Sequence, residues 1–404
     1  MQNQNINELS KILLKLLESK GYCTVVLVNY RRMLSRISKF MGKKKIAHYT
    51  ESVGDLFFSD YISRKDYSIQ YKKYIKTVLR RLNELYVGCN YTLVKKLPDI
   101  FPPAPFAVLL KRYIQFCKNT GNKKNTITKK RKFCLDFLNN INDAGCNKIS
   151  QFASKYICMS IIKINNKDSF AVIRSFLQYM YENGILKNDF SGIIPKYRRV
   201  ISLPTTYTND EILSLENIIN RTTKTGKRNY AVILLASRLG IRAGDITEMT
   251  LDNIDFNNNK ISFIQNKTGR ALSLPLLPEI REAIQDYLQF ARPNVRINYL
   301  FIKANAPFDK ISTSAIRHAL TGYFKLAGIN ISNKKHGSHT LRSSMASSMI
   351  NRDIPYEVVR KTLGHTDPQA IKRYAKVDIK NLRLYAIGVP APSGIFAAAL
   401  RGRN

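Results

Sequence analysis

An apolar pattern in the first half of the chain returns after an interval of about 100 residues, and this recurrence limits the fold more than any other feature. Gly21 is matched by Gly121, Arg31 by Arg131 and Ile37 by Phe137. The segment IKTVLRRL at 75–82 parallels IRSFLQYM at 173–180. In the first copy, Leu13, Leu14, Leu16 and Leu17 lie on a short amphipathic stretch that ends at Gly21. Met33, Leu34, Ile37, Phe40 and Met41 follow at helical spacing, and Tyr74, Ile75, Val78, Leu79, Leu82 and Leu85 form a further stripe. The segment KKLPDIFPPAPF, with four prolines between 98 and 105, separates the copies and reads as a linker. Two related helical domains in tandem are expected.

A second linker, SGIIPKYRRVISLPTTYT at 191–208, combines Pro, Gly and basic residues, and the texture changes after it. Thr208 and Glu211 have the spacing of a capping box that opens a helix. NYAVILLASRLG at 229–240 predicts a strongly apolar helix stopped by Gly240. KISFIQNKTGRALSLPL at 260–276 predicts a β-hairpin, two apolar strands around Asn266, Lys267, Thr268 and Gly269. Helices are predicted at about 313–326, 340–351, 355–363 and 368–376, with Gly364 ending one and Asp367-Pro368 opening the next. A short helix is expected at 380–387. The organisation is then a helical domain at 1–97, a second at 104–195, a mixed α+β domain at 205–387 and a tail at 388–404.

Charge narrows the partner. The 404 residues hold 66 Lys+Arg against 28 Asp+Glu, a formal net charge of +38. Residues 1–200 carry 37 basic and 13 acidic side chains and residues 201–404 carry 29 and 15, so both halves are basic. Such an excess points to a polyanion, most commonly DNA or RNA. A ribosome-associated protein or a binder of anionic membranes shares that bulk signature. No stretch approaches the ~20 apolar residues that span a bilayer. The N-terminus MQNQNINELSKILLKLL, with acid and amides before its apolar face, is unlike a signal peptide. Cys23, Cys89, Cys117, Cys134, Cys146 and Cys158 include no C-x-x-C pair, which argues against a disulfide framework or zinc module and for a reducing interior. Lys123, Lys124, Lys129, Lys130 and Arg131 cluster around a predicted helix start. Such a run is ordinarily a solvated face; on so basic a chain it is expected to track phosphates. The weaker run Lys43, Lys44 and Lys45 reads the same way.

The polar residues of most interest fall in LGIRAGDI (239–246), QNKTGRALSLPL (265–276), SHTLRSSMAS (338–347), TLGHTDP (362–368) and KRYAKVD (372–378). Arg242 and Arg342 each offer a planar fork of donors suited to the non-bridging oxygens of a phosphodiester, a match that Lys cannot reproduce. His339 lies three residues before Arg342, on the same helix face. His365 follows a helix-ending Gly, Tyr374 lies nine residues further on, and Lys267 sits at a hairpin tip. Singly, each has a plainer reading. An Arg on so basic a chain is usually solvated, Lys267 suits a turn, His339 suits a core, and Tyr356 and Tyr385 rival Tyr374.

In their order and spacing these segments resemble the tyrosine recombinases, or phage integrase family. The resemblance covers about residues 205–385 and is carried by the pattern R…K…H-x-x-R…L-G-H…Y. It implies a mostly α-helical protein with an α+β catalytic domain: tandem helical DNA-binding domains, then a tyrosine-recombinase domain with a small β-sheet. Residues 104–195 resemble the family's core-binding domain more weakly, and 1–97 connect to it only through the repeat. Arg242, Lys267, His339, Arg342, His365 and Tyr374 are carried over as catalytic residues, with Tyr374 the nucleophile. Three positions depart from the common pattern: Leu239 where many members have Thr, Asp245 in place of Glu, and Ser343 where His is frequent. None is a proposed catalytic group; Asp245 and Ser343 bear on the support around the site.

The implied reaction has the Tyr374 phenol attack a DNA phosphate, forming a 3′-phosphotyrosyl bond and releasing a 5′-hydroxyl. A 5′-hydroxyl from a partner strand reverses the attack, so no ATP is needed. A phenol of pKa ~10 is mostly protonated at neutral pH and needs a base or a strongly positive site. The two guanidinium groups and His365 would stabilise the pentacoordinate phosphorane, Lys267 would protonate the leaving oxygen, and His339 would assist proton transfer. The resemblance implies no cofactor and no metal. It implies double-stranded DNA target sites and a homo-tetramer on two duplexes as partners, no membrane, and a cytoplasmic, DNA-associated protein. The Asn-, Lys- and Ile-rich composition hints at an AT-rich bacterial genome, and the extra N-terminal domain favours a mobile element that integrates, excises or transposes. Ile395, Phe396 and Leu400 in the tail are placed to pack on a neighbouring subunit or, equally, in cis. A non-catalytic DNA-binding protein on this fold and a type IB topoisomerase are the alternatives. A metal-dependent transposase would need clustered carboxylates, and residues 301–350 hold one acid, Asp309.

Overall fold

The computed structural model describes residues 5–88, 101–196, 205–332 and 334–364. The chain divides into two compact units, one of residues 95–201 and one comprising 1–94 with 202–404.

The first segment of the latter unit holds α1 (Ile6–Ser19), α2 (Thr24–Lys43), α3 (Glu51–Ser63) and α4 (Ile69–Tyr86). Side-chain caps fix three of their starts: Asn5 accepts from Asn7 N–H, Thr50 from Val53 N–H and Ser68 from Tyr71 N–H. The predicted stripes face one core, in which Leu13, Leu17, Ile37, Ile75, Val78 and Leu82 are fully buried. Burying each such side chain is worth ~1.5–3 kcal/mol. Arg81 is also buried, its guanidinium donating to the hydroxyls of Tyr22 and Tyr30, so a charge inside this core is met by two phenols.

The other unit repeats the plan with α5 (Ala104–Asn119), α6 (Lys124–Asp143), α7 (Ser154–Ile162) and α8 (Ser169–Glu182). The correspondence extends to backbone detail. Helices α2 and α6 each have 20 residues. Gly21 and Gly121 stand at φ +76° and +74°, a left-handed conformation that costs glycine nothing and ends both first helices. After them Tyr22 N–H returns to Leu17 O at 3.2 Å, and Asn122 N–H to Cys117 O at 3.1 Å. Past the second helices Ile46 N–H bonds Met41 O and Cys146 N–H bonds Ile141 O. Ile37 and Phe137, paired from sequence, are both fully buried, as are Leu13 and Tyr113 and Leu17 and Cys117. The side chains differ while the packing positions persist.

The third segment contains α9 (Asn209–Asn217), α10 (Lys224–Arg238), α11 (Ala243–Glu248), β1 (Ile254–Asp255), β2 (Lys260–Ile264), β3 (Ala271–Pro275), α12 (Pro278–Phe290), α13 (Thr313–Leu326), α14 (Ser338–Asn351) and α15 (Tyr356–Leu363). The expected capping box opens α9: Glu211 N–H donates to Thr208 Oγ1 and Thr208 N–H to Glu211 Oε2. Helix α10 is central. Ala231 through Ala236 are all buried, and it packs against α9, α12, α13 and α14. A stretch that is apolar on every side must be surrounded in this way. At its end, buried Glu216 of α9 accepts from Ser237 Oγ at 2.6 Å and pairs with Arg238 at 2.5 Å, so this charge lies among donors. The three strands form one antiparallel sheet in sequence order, with Ile261 opposite Leu274 and Ile264 opposite Ala271. The hairpin stands where the sequence predicted it. Helix α10 starts at Lys224, five residues before the predicted 229, and α12 and β1 were not anticipated. The predicted helices at 368–376 and 380–387 and the tail lie outside the described residues.

Among the described residues no helix is long and apolar enough to cross a membrane and no cluster of three or more acidic, His or Cys residues could hold a metal ion. Cys23, Cys117, Cys134, Cys146 and Cys158 are free. Burial pushes the Cys134 thiol up.

Candidate active site

Two helices, a turn and the hairpin converge on a buried knot in the third segment. Arg342, in the second turn of α14, is only 2% exposed. Its Nη1 donates to Gly240 O at 2.6 Å and its Nη2 to Leu363 O at 2.7 Å. The first carbonyl belongs to the turn after α10 and the second to the last residue of α15. Gln265, 1% exposed at the end of β2, donates from Nε2 to the same Leu363 O at 3.2 Å. A single main-chain oxygen thus takes donors from α14 and from the hairpin.

Each tied residue stands two positions before a candidate catalytic residue: Gly240 before Arg242, Gln265 before Lys267, Leu363 before His365. Arg342 is itself a candidate. The knot fixes the backbone of four of the six predicted positions or of the residues leading into them.

A second tie involves Asp245. Arg242 is the N-cap residue of α11, and Asp245 lies in its first turn, where a carboxylate suits the positive helix end. The Asp245 side chain is 2% exposed; Oδ2 lies 3.8 Å from Arg242 Nη1. Its Oδ1 accepts Asn266 N–H at 2.7 Å, so one carboxylate faces the first arginine and clamps the turn that carries Lys267. Arg242 Nη1 and Asp245 Oδ2 are both buried without a hydrogen bond, an ion pair that stops short of contact. The Arg242 side chain retains 21% exposure.

Lys267 is exposed at the hairpin tip, as expected. His339 is exposed in the first turn of α14, one turn before Arg342, and its carbonyl accepts from Ser343 Oγ at 3.0 Å. His365 and Tyr374, with the rival Tyr385, lie outside the described residues. Tyr356 is 39% exposed at the start of α15. His336 Nδ1 is 3.0 Å from Lys334 O, and His318 is exposed.

In the other unit, Lys123, Lys124 and Lys129 are exposed on the first turns of α6 and just before them. Lys130 and Arg131 are half-buried. The Lys130 amine is 3.6 Å from Cys117 Sγ, and Arg131 lies over the Phe101 ring at 5.4 Å.

The phage integrase family profile matches residues 206–381, the segment that builds this knot. Over this segment the chain is similar to the phage integrase family. It is 33% identical over 221 residues to a Sinorhizobium fredii protein bearing the name integrase/recombinase y4rA, covering 54% of this chain and 53% of that one. It is 26% identical over 241 residues to the tyrosine recombinase XerC of Thermodesulfovibrio yellowstonii, covering 58% of this chain and 78% of the other. The chain spans about half the length of the first two Sinorhizobium relatives it matches, 53% and 52%. In fold it is similar to lambda integrase, solved as a tetramer bound to a Holliday junction, at TM-score 0.53 and 17% identity over 74% of this chain and 86% of that one. It is similarly like the XerH recombinase bound to difH in a pre-cleavage complex, at TM-score 0.53 and 17% identity over 77% of this chain and 88% of that one.

Within the matched segment the sequence reading passed over Gln265. The signal was present: with Ile261 and Phe263 inward, the two-residue period of β2 turns position 265 inward as well. A polar residue on a buried register must find partners.

Proposed function

We propose that this chain is a site-specific DNA recombinase that cuts and rejoins strands through a 3′-phosphotyrosyl intermediate on Tyr374. The observation that carries the proposal is the knot of Arg342, Gly240, Gln265 and Leu363, which draws separate parts of the family pattern into one place. In the reaction, the Tyr374 oxygen bonds to phosphorus as the bond to the 5′-oxygen breaks. Lys267 supplies the proton to the leaving oxygen, and His339 assists its transfer. Arg242, held by Asp245 on one side and still partly exposed, and Arg342, with His365, carry the charge of the phosphorane. Rejoining is the same step run backwards, so bond energy is conserved, and neither metal nor ATP enters.

The partners proposed are duplex target sites and a homo-tetramer spanning two of them, for a mobile element in a bacterial cytoplasm. The division into domains at 1–97, 104–195 and 205–387 is supported by apolar cores that each lie within one of these ranges. Nicked suicide duplexes tiled across sequences flanking the gene, resolved on a denaturing gel, test the reading. A protein–DNA adduct is expected that forms in EDTA and vanishes in Tyr374→Phe. An adduct that persists in that variant, or a strict magnesium requirement, would refute it. Relaxation of supercoiled DNA that lacks any such site would favour a topoisomerase instead.

A further inference from the structure

We infer that Gln265 is the positioning residue that sets Lys267 against the segment leading into His365, an assignment that rests on the recombinase reading above. The Gln265 side chain spans two structures. At one end its Oε1 accepts the Thr268 hydroxyl at 2.8 Å, inside the turn that carries Lys267. At the other end its Nε2 donates to Leu363 O, the C-terminal carbonyl of α15. Its main chain closes the same turn: Gln265 N–H donates to Arg270 O and Gly269 N–H to Gln265 O, each at 2.8 Å.

The opposing surface is shaped to receive the amide. Gly364 ends α15 at φ +59°, and a Cβ built there would lie 2.4 Å from Gln265 Nε2. The absent side chain leaves room for the amide to rest on the backbone. Because Leu363 O also binds Arg342, movement of the hairpin is transmitted to the arginine and to the turn entering His365. Lys267 itself is exposed, and among the described residues its ammonium makes no hydrogen bond or ion pair. Its placement therefore depends on the turn, and the turn is tied down by Gln265 and by Asp245.

A proton donor displaced by about 1 Å can cost ~100-fold in rate, and only for a leaving group that needs the proton. The test uses the suicide duplex on which the wild-type protein forms its adduct, made with an ordinary phosphodiester and with a 5′-bridging sulfur at the scissile position. A departing thiol, of pKa ~8.5, leaves as thiolate without an acid. Gln265→Leu is expected to form adduct ~30- to 100-fold more slowly than wild type on the ordinary duplex. On the sulfur duplex it should come within a few-fold of wild type, the pattern also expected of Lys267→Ala. Thr268→Val, an exposed change that cuts only the Oε1 contact, should show a smaller loss and the same rescue. Equal losses on both duplexes would mean that Gln265 merely holds the fold, and a wild-type rate on the ordinary duplex would mean that it holds nothing; either overturns the assignment. Should wild type form no adduct on any of the tiled duplexes, the recombinase reading fails and takes this assignment with it.

Discussion

Asp245→Asn isolates the charge of the carboxylate while keeping its shape. At 3.8 Å from Arg242 Nη1 the carboxylate attracts the guanidinium by ~4 kcal/mol at an effective dielectric constant of about 20. Its hydrogen bond to Asn266 N–H is charge-assisted, and a neutral amide oxygen in its place forfeits ~1 kcal/mol. Against these losses, the variant no longer desolvates a carboxylate, a cost that offsets part of the Coulomb gain in any buried pair. The net expectation is destabilisation by about 2–3 kcal/mol. At ~2–4 °C per kcal/mol, the transition of the segment containing α9–α15 should fall by about 4–12 °C in a thermal melt. A local readout is sharper. The Asn266 amide should exchange with solvent ~30- to 100-fold faster, since each 1.4 kcal/mol is tenfold. Covalent adduct formation should slow in parallel, because the turn that carries Lys267 loses its clamp. A melting shift worth under about 0.5 kcal/mol with unchanged exchange at Asn266 would refute the reasoning, for it would mean that the 3.8 Å gap is bridged by solvent and the charge does not matter.

The Tyr74 hydroxyl of α4 is buried without a hydrogen-bond partner, and burial first, then the neighbouring Tyr30, push its pKa up to about 12. The unfolded phenol ionises near 10, so the fold loses stability as pH rises from about 10 to 12. Tyr74→Phe should leave the neutral-pH melting temperature equal or higher and flatten the alkaline loss, followed by tyrosinate absorbance; a clear drop at pH 7 would show a hidden partner. On α6, Lys129 is exposed while the Lys130 amine lies against Cys117. In DNA-binding titrations against salt, Lys129→Gln should lower the log–log slope by ~1 and Lys130→Gln should leave it unchanged. Equal effects of the two would remove the distinction.

Where local signals and packing agreed, the fold was legible. Thr208 and Glu211 announced the start of α9, and Asn266 to Gly269 announced the turn of the hairpin, because each is a short-range preference that tertiary structure did not override. Helix α12 was equally marked, with Pro278 at its start and Ile280, Ala283, Ile284 and Tyr287 on one face, yet it carries no chemistry and was passed over. Strand β1 has two residues, too few for any period to show. The candidate site was legible as a list of side chains and opaque as an arrangement. Arg342 was read as a fork turned towards phosphate, whereas two of its donors grip the carbonyls of Gly240 and Leu363. Main-chain oxygens have no signature in a sequence, so a site assembled through them cannot be read from residue types alone.

That mode of assembly has a mechanical consequence. A side chain that must meet a substrate is best fixed away from the atoms that meet it, because a hydrogen bond on those atoms would have to break first. Here the restraint is applied two residues upstream, at Gly240, Gln265 and Leu363, where nothing needs to be reactive. Arg342 alone combines both tasks, and it is the most buried of the four described candidates. An Arg342→Lys change would keep the charge and lose the fork, since one ammonium on a flexible stem cannot reproduce two divergent planar donors. Gly240 O or Leu363 O would then lose a donor, and Leu363 O would retain Gln265 while Gly240 O would not. The turn into Arg242, rather than the segment into His365, is therefore the part of the site most exposed to that substitution.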